Sequence, residues 1–420
     1  MTTNASLLER RKVLGTAYRL FYEQPVHLVR GEGVWLEDID GKRYLDMYNN
    51  VPVVGHANPA VVQAMTQQAS ILNTHTRYLH ENVVAYAEQL LALFPKELNR
   101  AVFTCTGSEA NDLALRIAHE VTGRRGVIVT QNAYHGVTSL LADMSPSLRP
   151  VAEHVEVVPA PTSLQGSATE IASEFAALVD AAAQRLAAKG VPVCALMVDT
   201  VFASDGLYLP SQGVLAAAAK VVRQHGGLFI ADEVQGGFAR VGGKWWAFQQ
   251  DDVIPDMVTL GKPMGNGHPI GAVVVREQWL HDFGTRCRYF NTFGGNTVSA
   301  AVGLAVLHEL HKLNATQHVQ QVGNDLGQHL HALTTHELVQ AVRGSGLYWS
   351  IALQGNDTHT ASELAVLLVN GLRQEGILIG TCGQKNDALK IRPPLVFAKE
   401  HVSLFMEVLQ QQLQQINAMN

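Results

Sequence analysis

The chain has 420 residues, 47 % of them hydrophobic and 16 % charged, which suits a large domain joined to a smaller one. A formal charge of −6, from 31 basic and 37 acidic side chains with no basic run, argues against nucleic acid as a partner and leaves any anionic substrate to a few local cations. No window approaches the ~18 uninterrupted apolar residues of a membrane span, the start MTTNASLLERRKVLG is too charged for a secretion signal, and four scattered cysteines (Cys105, Cys194, Cys287, Cys382) lack metal-ligand spacing; a cytoplasmic protein with reduced thiols, no metal and no membrane contact is expected.

In chain order, EGVWLEDIDGKRYLDM (32–47) sets the dipeptide Asp40-Gly41 between two strand-like runs and predicts a hairpin. Apolar runs then follow at AVFTCT (101–106), RGVIVT (125–130), VCALMVD (193–199), GGLFIAD (226–232), DMVTLG (256–261) and GAVVV (271–275). Their hydrophobicity is continuous rather than alternating, as in strands covered on both faces. Helical periodicity fills 108–121, 211–225 and 296–313, while the Ala/Gln-rich stretch 161–190 reads as a surface excursion. Beyond 315 come a helix, the strand-like GLYWSIAL (346–353), a helix over 361–375, the strand LKIRPP (389–394) and a last helix to Gln415. The pattern predicts an α/β protein: a large domain (51–314) around a mostly parallel sheet, and a small α+β domain made by both chain ends (1–50 and 315–420).

Open parallel sheets bind ligands beyond the carboxyl ends of their strands, where Asp232, Lys262, Thr130 and the turn Thr106-Gly107-Ser108 all fall. A lysine in an apolar crevice has its charged form disfavoured, so its amine is available to an aldehyde. A nearby carboxylate can keep a heterocyclic nitrogen protonated, and a glycine-opened helix start can cradle phosphate on the amides of Ser108 and Glu109. These are the protein groups that pyridoxal phosphate requires. Taken singly, each has an ordinary structural reading as surface lysine, turn former or helix cap.

Five segments, TGSEAND (106–112), AYHG (133–136), IADEVQGGFARVG (230–242), LGKPMGNGHPIGAV (260–273) and NTFGGNTVSAAVGLAVL (291–307), together resemble the class III (omega) aminotransferase family. The resemblance implies the aspartate aminotransferase-like fold of pyridoxal-phosphate-dependent transferases and a homodimer with active sites at the subunit interface. Carried over by motif, it makes Lys262 the Schiff-base and proton-transfer lysine and Asp232 the partner of the pyridinium nitrogen. Val234 and Tyr134 then flank the ring, with His135 beside Tyr134 and Gln235 near the ring hydroxyl. Thr106, Gly107 and Ser108 hold the cofactor phosphate, and Thr292 reaches the phosphate in the neighbouring subunit.

Departures from the family pattern narrow the reading. Lys390 begins KIRPP where most members carry an arginine that grips a substrate carboxylate, and lysine cannot make that bidentate fork. DTVFASDGLYLP (199–210) replaces the usual E-P-I-Q-G-E-G-G. GFARVGGKWWAFQQ (237–250), LNTHTRYLHEN (72–82) and YFNTFGGN (289–296) resemble the ethanolamine-phosphate phospho-lyase branch. That likeness implies a small phosphorylated amine as substrate, split to acetaldehyde, ammonia and phosphate. The alternative is an omega-aminotransferase passing an amino group from a primary amine to pyruvate or glyoxylate. Arg77 is the first candidate for the substrate phosphate, followed by Tyr18, Asn50, Lys390 and Arg392.

Overall fold

The computed structural model describes residues 3–210 and 212–418. At its centre lies a seven-stranded sheet of β1 (Arg100–Thr104), β2 (Gly126–Thr130), β3 (Val155–Val158), β4 (Val193–Asp199), β5 (Leu228–Asp232), β6 (Met257–Leu260) and β7 (Gly271–Val275), in the order β1-β7-β6-β5-β4-β2-β3. The pairs within β6-β5-β4-β2-β3 are parallel, and β7 runs antiparallel to both of its neighbours. Every residue of β2, β5 and β7 is buried, which is why their sequences show no alternation.

Two expectations for this region need correction. The Ala/Gln-rich stretch is not a surface excursion: most of it is the helix Ala168–Ala188, opened by a capping box of Ser167 and Glu170 and burying Phe175, Val179 and Leu186 against the sheet layer and the helix Val214–Gln224. Alanine is the strongest helix former, yet its small side chain gives a weak apolar signal, so the buried face was masked. The strand β3 was missed as well, being an edge strand of four residues with Glu156 inside it. The helix expected from 211 runs Val214–Gln224, and Ser211 itself lies outside the described residues.

The remaining strands form two four-stranded sheets. The predicted hairpin is present, with Leu36 opposite Tyr44, and the short strand Ile377–Leu378 joins it in parallel with Arg43–Asp46. The other sheet is antiparallel and contains Tyr348–Leu353 and Ala388–Ile391, so the runs GLYWSIAL and LKIRPP do form paired strands, trimmed where glycine and proline interrupt them. The amide of Arg392 donates to the carbonyl of Met47 and that of Leu395 to Val53, which ties the C-terminal sheet to the segment entering the large one. Among the described residues no helix is long and apolar enough to cross a membrane.

Of the two acids at the end of β5, only Asp232 faces ligand space. Glu233 turns into the protein, where its carboxylate accepts the hydroxyl of Thr200 at 2.8 Å and the amides of Ala247 and Phe248 at 2.9 and 2.7 Å. It thereby pins the loop that brings Trp246 onto Phe94, ring centroids 4.2 Å apart. Complete burial outweighs these donors and pushes the carboxyl from 4.5 up to about 7. The folded state therefore keeps a proton that the unfolded chain releases, and the stabilisation is full below about pH 4.5 and lost as pH rises to about 7, roughly 3 kcal/mol in all. Urea unfolding at pH 5 and pH 8 should show a smaller difference in Glu233→Gln than in the parent; equal differences would contradict this assignment.

Candidate active site

A cavity of about 210 Å³ opens at the carboxyl ends of β4 and β5, between the turn after β6 and the start of the helix Gly107–Thr122. Larger hollows lie beside Trp35 and along the N-terminal segment, about 610 and 630 Å³, but neither brings a lysine together with a buried carboxylate. The smaller cavity does. It is lined by Lys262 and Asp232, with Thr106, Gly107, Ser108, Tyr134, His135, Val234 and Gln235 around them, so the chain collects nine of the residues expected at one site.

Lys262 reaches the cavity because β6 is followed by Gly261, whose backbone presses against the helix start: a Cβ there would stand 3.1 Å from Gly107 Cα. Gly107 is packed in turn against Val234, 2.9 Å from where its own Cβ would be. Both glycines are thus required by close approach. Burial pushes the Lys262 amine below its usual range, with the charge of Asp232 opposing. Asp232 is itself buried; its Oδ1 accepts the Val234 amide at 3.0 Å, and its Oδ2 accepts Asn111 Nδ2 at 2.8 Å and faces His135 Nδ1 at 2.8 Å. Tyr134 stands at the mouth, where burial and the charge of Asp232 push its hydroxyl up.

The expected phosphate cradle is altered in one respect. The amide of Glu109 is taken by Thr106 Oγ1 at 3.1 Å, and the Glu109 carboxylate accepts the Cys105 amide, so the helix start is a closed cap. The amides of Gly107 and Ser108 remain unspent among the described residues, at the positive end of a 16-residue helix. Thr130 is not a lining residue, because its hydroxyl is given to Asp205 at 2.7 Å.

From the C-terminal sheet, Tyr348 and Arg392 both donate to Gln235 Oε1, each at 3.0 Å. The Arg392 guanidinium lies over the ring of Tyr48, and Lys390 lies near that of Tyr348. Burial, then the charge of Arg392, push the Lys390 amine down to about 8. Other expected residues are elsewhere in the single chain. Arg77 is exposed and stacked on Phe290 at 3.9 Å, Thr292 is exposed in the adjoining loop, Tyr18 is 68 % exposed in the N-terminal segment, and Asn50 is buried but does not line the cavity. Arg77 and Thr292 share a surface on which Leu79, Tyr78 and Phe293 are exposed apolar groups.

Besides Gly136, which falls within AYHG, the lining holds two polar residues that sequence reasoning missed, Asn111 and Asp199. Both left a signal: Asn111 is one helical turn beyond Gly107, and Asp199 ends β4 as Asp232 ends β5, the two being register partners. Burial and the charge of Asp232 push the Asp199 carboxyl up to about 6.

Comparison with known proteins places this geometry among relatives. Residues 21–413 match the family model for aminotransferase class-III. An alanine–glyoxylate aminotransferase 2-like protein of Drosophila melanogaster is 36 % identical over 418 residues, 94 % of this chain and 84 % of that one. An ethanolamine-phosphate phospho-lyase homolog 1 of Caenorhabditis elegans is 34 % identical over 438 residues, 98 % of this chain and 94 % of its own. Among solved structures, a phospholyase from Arthrobacter in complex with phosphoethanolamine superposes with a TM-score of 0.93 at 44 % identity, covering 97 % of this chain and 99 % of that chain.

Proposed function

The chain belongs to the class III aminotransferases, a pyridoxal-phosphate-dependent family that acts on small amines, and we propose that it is a phospho-lyase splitting ethanolamine phosphate, with water, into acetaldehyde, ammonia and phosphate. The observation that carries the reading is the pair of cations beside the cavity. Arg392 is bonded to a neutral amide, Lys390 rests near an aromatic ring, and neither is spent on a carboxylate ion pair among the described residues. A phosphate dianion is the partner such a pair lacks. The likeness to the Arthrobacter phospholyase supports it.

The donor set fits the cofactor. Lys262 has an amine held down by burial, Asp232 brings a buried carboxylate, and Gly107 and Ser108 offer two unspent amides at a helix start. When bound, pyridoxal phosphate supplies an aldehyde for the amine and a sink for the electrons of the adjacent carbon. In our reading Lys262 Nζ anchors it and then takes a proton from the carbon bearing nitrogen, and Asp232 partners the ring nitrogen. Val234 and Tyr134 confine the two faces, His135 and Gln235 hold the edge, and Thr106, Gly107 and Ser108 take the cofactor phosphate. Ethanolamine phosphate carries its leaving group on the next carbon, so proton loss leads to expulsion of phosphate; an amine without one returns the proton and exchanges nitrogen. The Drosophila relative favours that second outcome, an omega-aminotransferase passing nitrogen to pyruvate or glyoxylate. Purified protein given ethanolamine phosphate and no keto acid should release phosphate and acetaldehyde in equal amounts, and a strict need for keto acid would overturn the lyase reading.

We place Arg77 and Thr292 across the boundary of a homodimer, because their own chain leaves both on an apolar surface outside its cavity. Tyr18, Asn50, Lys390 and Arg392 complete the proposed set around the substrate. Arg77→Ala should lower kcat/KM for ethanolamine phosphate ten- to two-hundredfold, the worth of a charge-assisted contact of about 1.5–3 kcal/mol, while an amine without phosphate is spared. Arg77→Lys should recover part of the loss. Equal losses on both amines, or none, would return the phosphate contact to Tyr18, Lys390 or Arg392.

A further inference from the structure

We propose that Asn111, oriented by Thr259, is a positioning residue that fixes the Asp232 carboxylate in the place where it meets the cofactor's ring nitrogen. This rests on the reading of Asp232 as that partner. Three neighbouring parallel strands present Asp199, Asp232 and Thr259 as register partners, so all three side chains leave the sheet on one face. The helix Gly107–Thr122 packs on that face and sets Asn111 between two of them.

The Asn111 amide has no freedom left. Its Nδ2 donates to the His135 carbonyl at 2.7 Å and to Asp232 Oδ2 at 2.8 Å, while its Oδ1 accepts the Thr259 hydroxyl at 2.5 Å. Flipping the amide would turn oxygen toward two acceptors and nitrogen toward a donor, so the pattern assigns itself. Asn111 is 1 % and Thr259 0 % exposed, where an unmade hydrogen bond is most costly. The charged or titratable groups around Asp232 are Asp199 on β4, Lys262 after β6, and Tyr134 and His135 from the loop after β2; none of them restrains Oδ2 except His135. Asn111 also grips the His135 backbone, so one amide sets the distance between the residue on the ring's edge and the residue at its nitrogen. A partner that must meet a ring atom needs to be held to a fraction of an ångström, and its supporting hydrogen bonds do that.

The test uses the holoenzyme and apoprotein reconstituted with pyridoxal phosphate carrying 15N in its ring. For Asn111→Leu the expected result is a cofactor dissociation constant raised about ten- to a hundredfold, a ring 15N resonance moved toward that of an unprotonated pyridine, and a lower kcat with little change in KM. Thr259→Val, which frees the amide without removing it, should move the same three readouts in the same direction by about threefold to tenfold. If Asn111→Leu does not fold, Thr259→Val decides alone. Parent-like 15N shift and cofactor affinity, even with a lowered Tm, would overturn the proposal and leave Asn111 as a packing residue. Asp232→Asn is measured alongside: a change there with none in the other two overturns the positioning role alone, whereas no change in any of the three overturns the premise about Asp232.

Discussion

Lys262→Ala is expected to abolish the visible absorbance of lysine-bound cofactor and to lower turnover by at least about ten-thousandfold. One amine is asked to do two things, to hold the cofactor covalently and to move the proton that starts the reaction, and the substitution removes both. Its environment prepares it for each, since burial pushes the amine down, so that a larger share is uncharged and nucleophilic, while the charge of Asp232 keeps the shift from running further. Lys262→Arg should be nearly as inactive, because a guanidinium does not give up its proton and cannot act as the base. Among the described residues Lys390 is the other lysine held low by burial, but it is carried on the strand Ala388–Ile391 of another sheet and does not line the cavity. The measurement is turnover of ethanolamine phosphate together with the absorbance of the protein before and after borohydride. Turnover within tenfold of the parent would remove Lys262 from the centre of the mechanism.

The parts of this site that were legible in the sequence are those fixed by local rules. Continuous apolar runs mark strands β1, β2 and β4 to β7 to within a few residues, and in β2 and β4 to β7 burial on both faces leaves no polar alternation to confuse the reading. The strand-end rule then put Asp232, Lys262 and the Gly107 turn together. What was not legible depends on partners distant in sequence. Glu233 and Asp232 are adjacent and chemically alike, and only the positions of Thr200, Ala247 and Phe248 decide that one of them points inward. The Ala168–Ala188 helix was misread because alanine conceals which face it buries. Asn111 and Asp199 went unread although each obeys a rule already in use, one by helical spacing from Gly107 and the other by strand register with Asp232.

Asp232→Asn is expected to leave a folded protein that still takes up cofactor but turns over a hundred- to a thousandfold more slowly, the loss seen when one preorganised electrostatic group is removed from a buried site. The amide keeps the shape of the carboxylate and loses its charge, so a protonated ring nitrogen no longer has a counter-ion. It also loses the acceptor pattern. Asp232 meets N–H donors on both oxygens, the Val234 amide on one side and the Asn111 amide with His135 Nδ1 on the other. Asparagine at 232 can present oxygen to only one side and must set its NH2 against a donor on the other, a mismatch worth about 1–3 kcal/mol of stability in addition to the kinetic loss. Asp232→Glu separates the two effects, since it restores the charge but carries it one methylene too far for the fixed Asn111 amide; its activity should fall between parent and Asp232→Asn. Rates for Asp232→Asn within threefold of the parent would mean that another acid meets the ring nitrogen. Asp199 would then be the residue to substitute next, because it is the register partner of Asp232 on the adjoining strand, lines the same cavity and has its carboxyl pushed up by desolvation and then by the charge of Asp232.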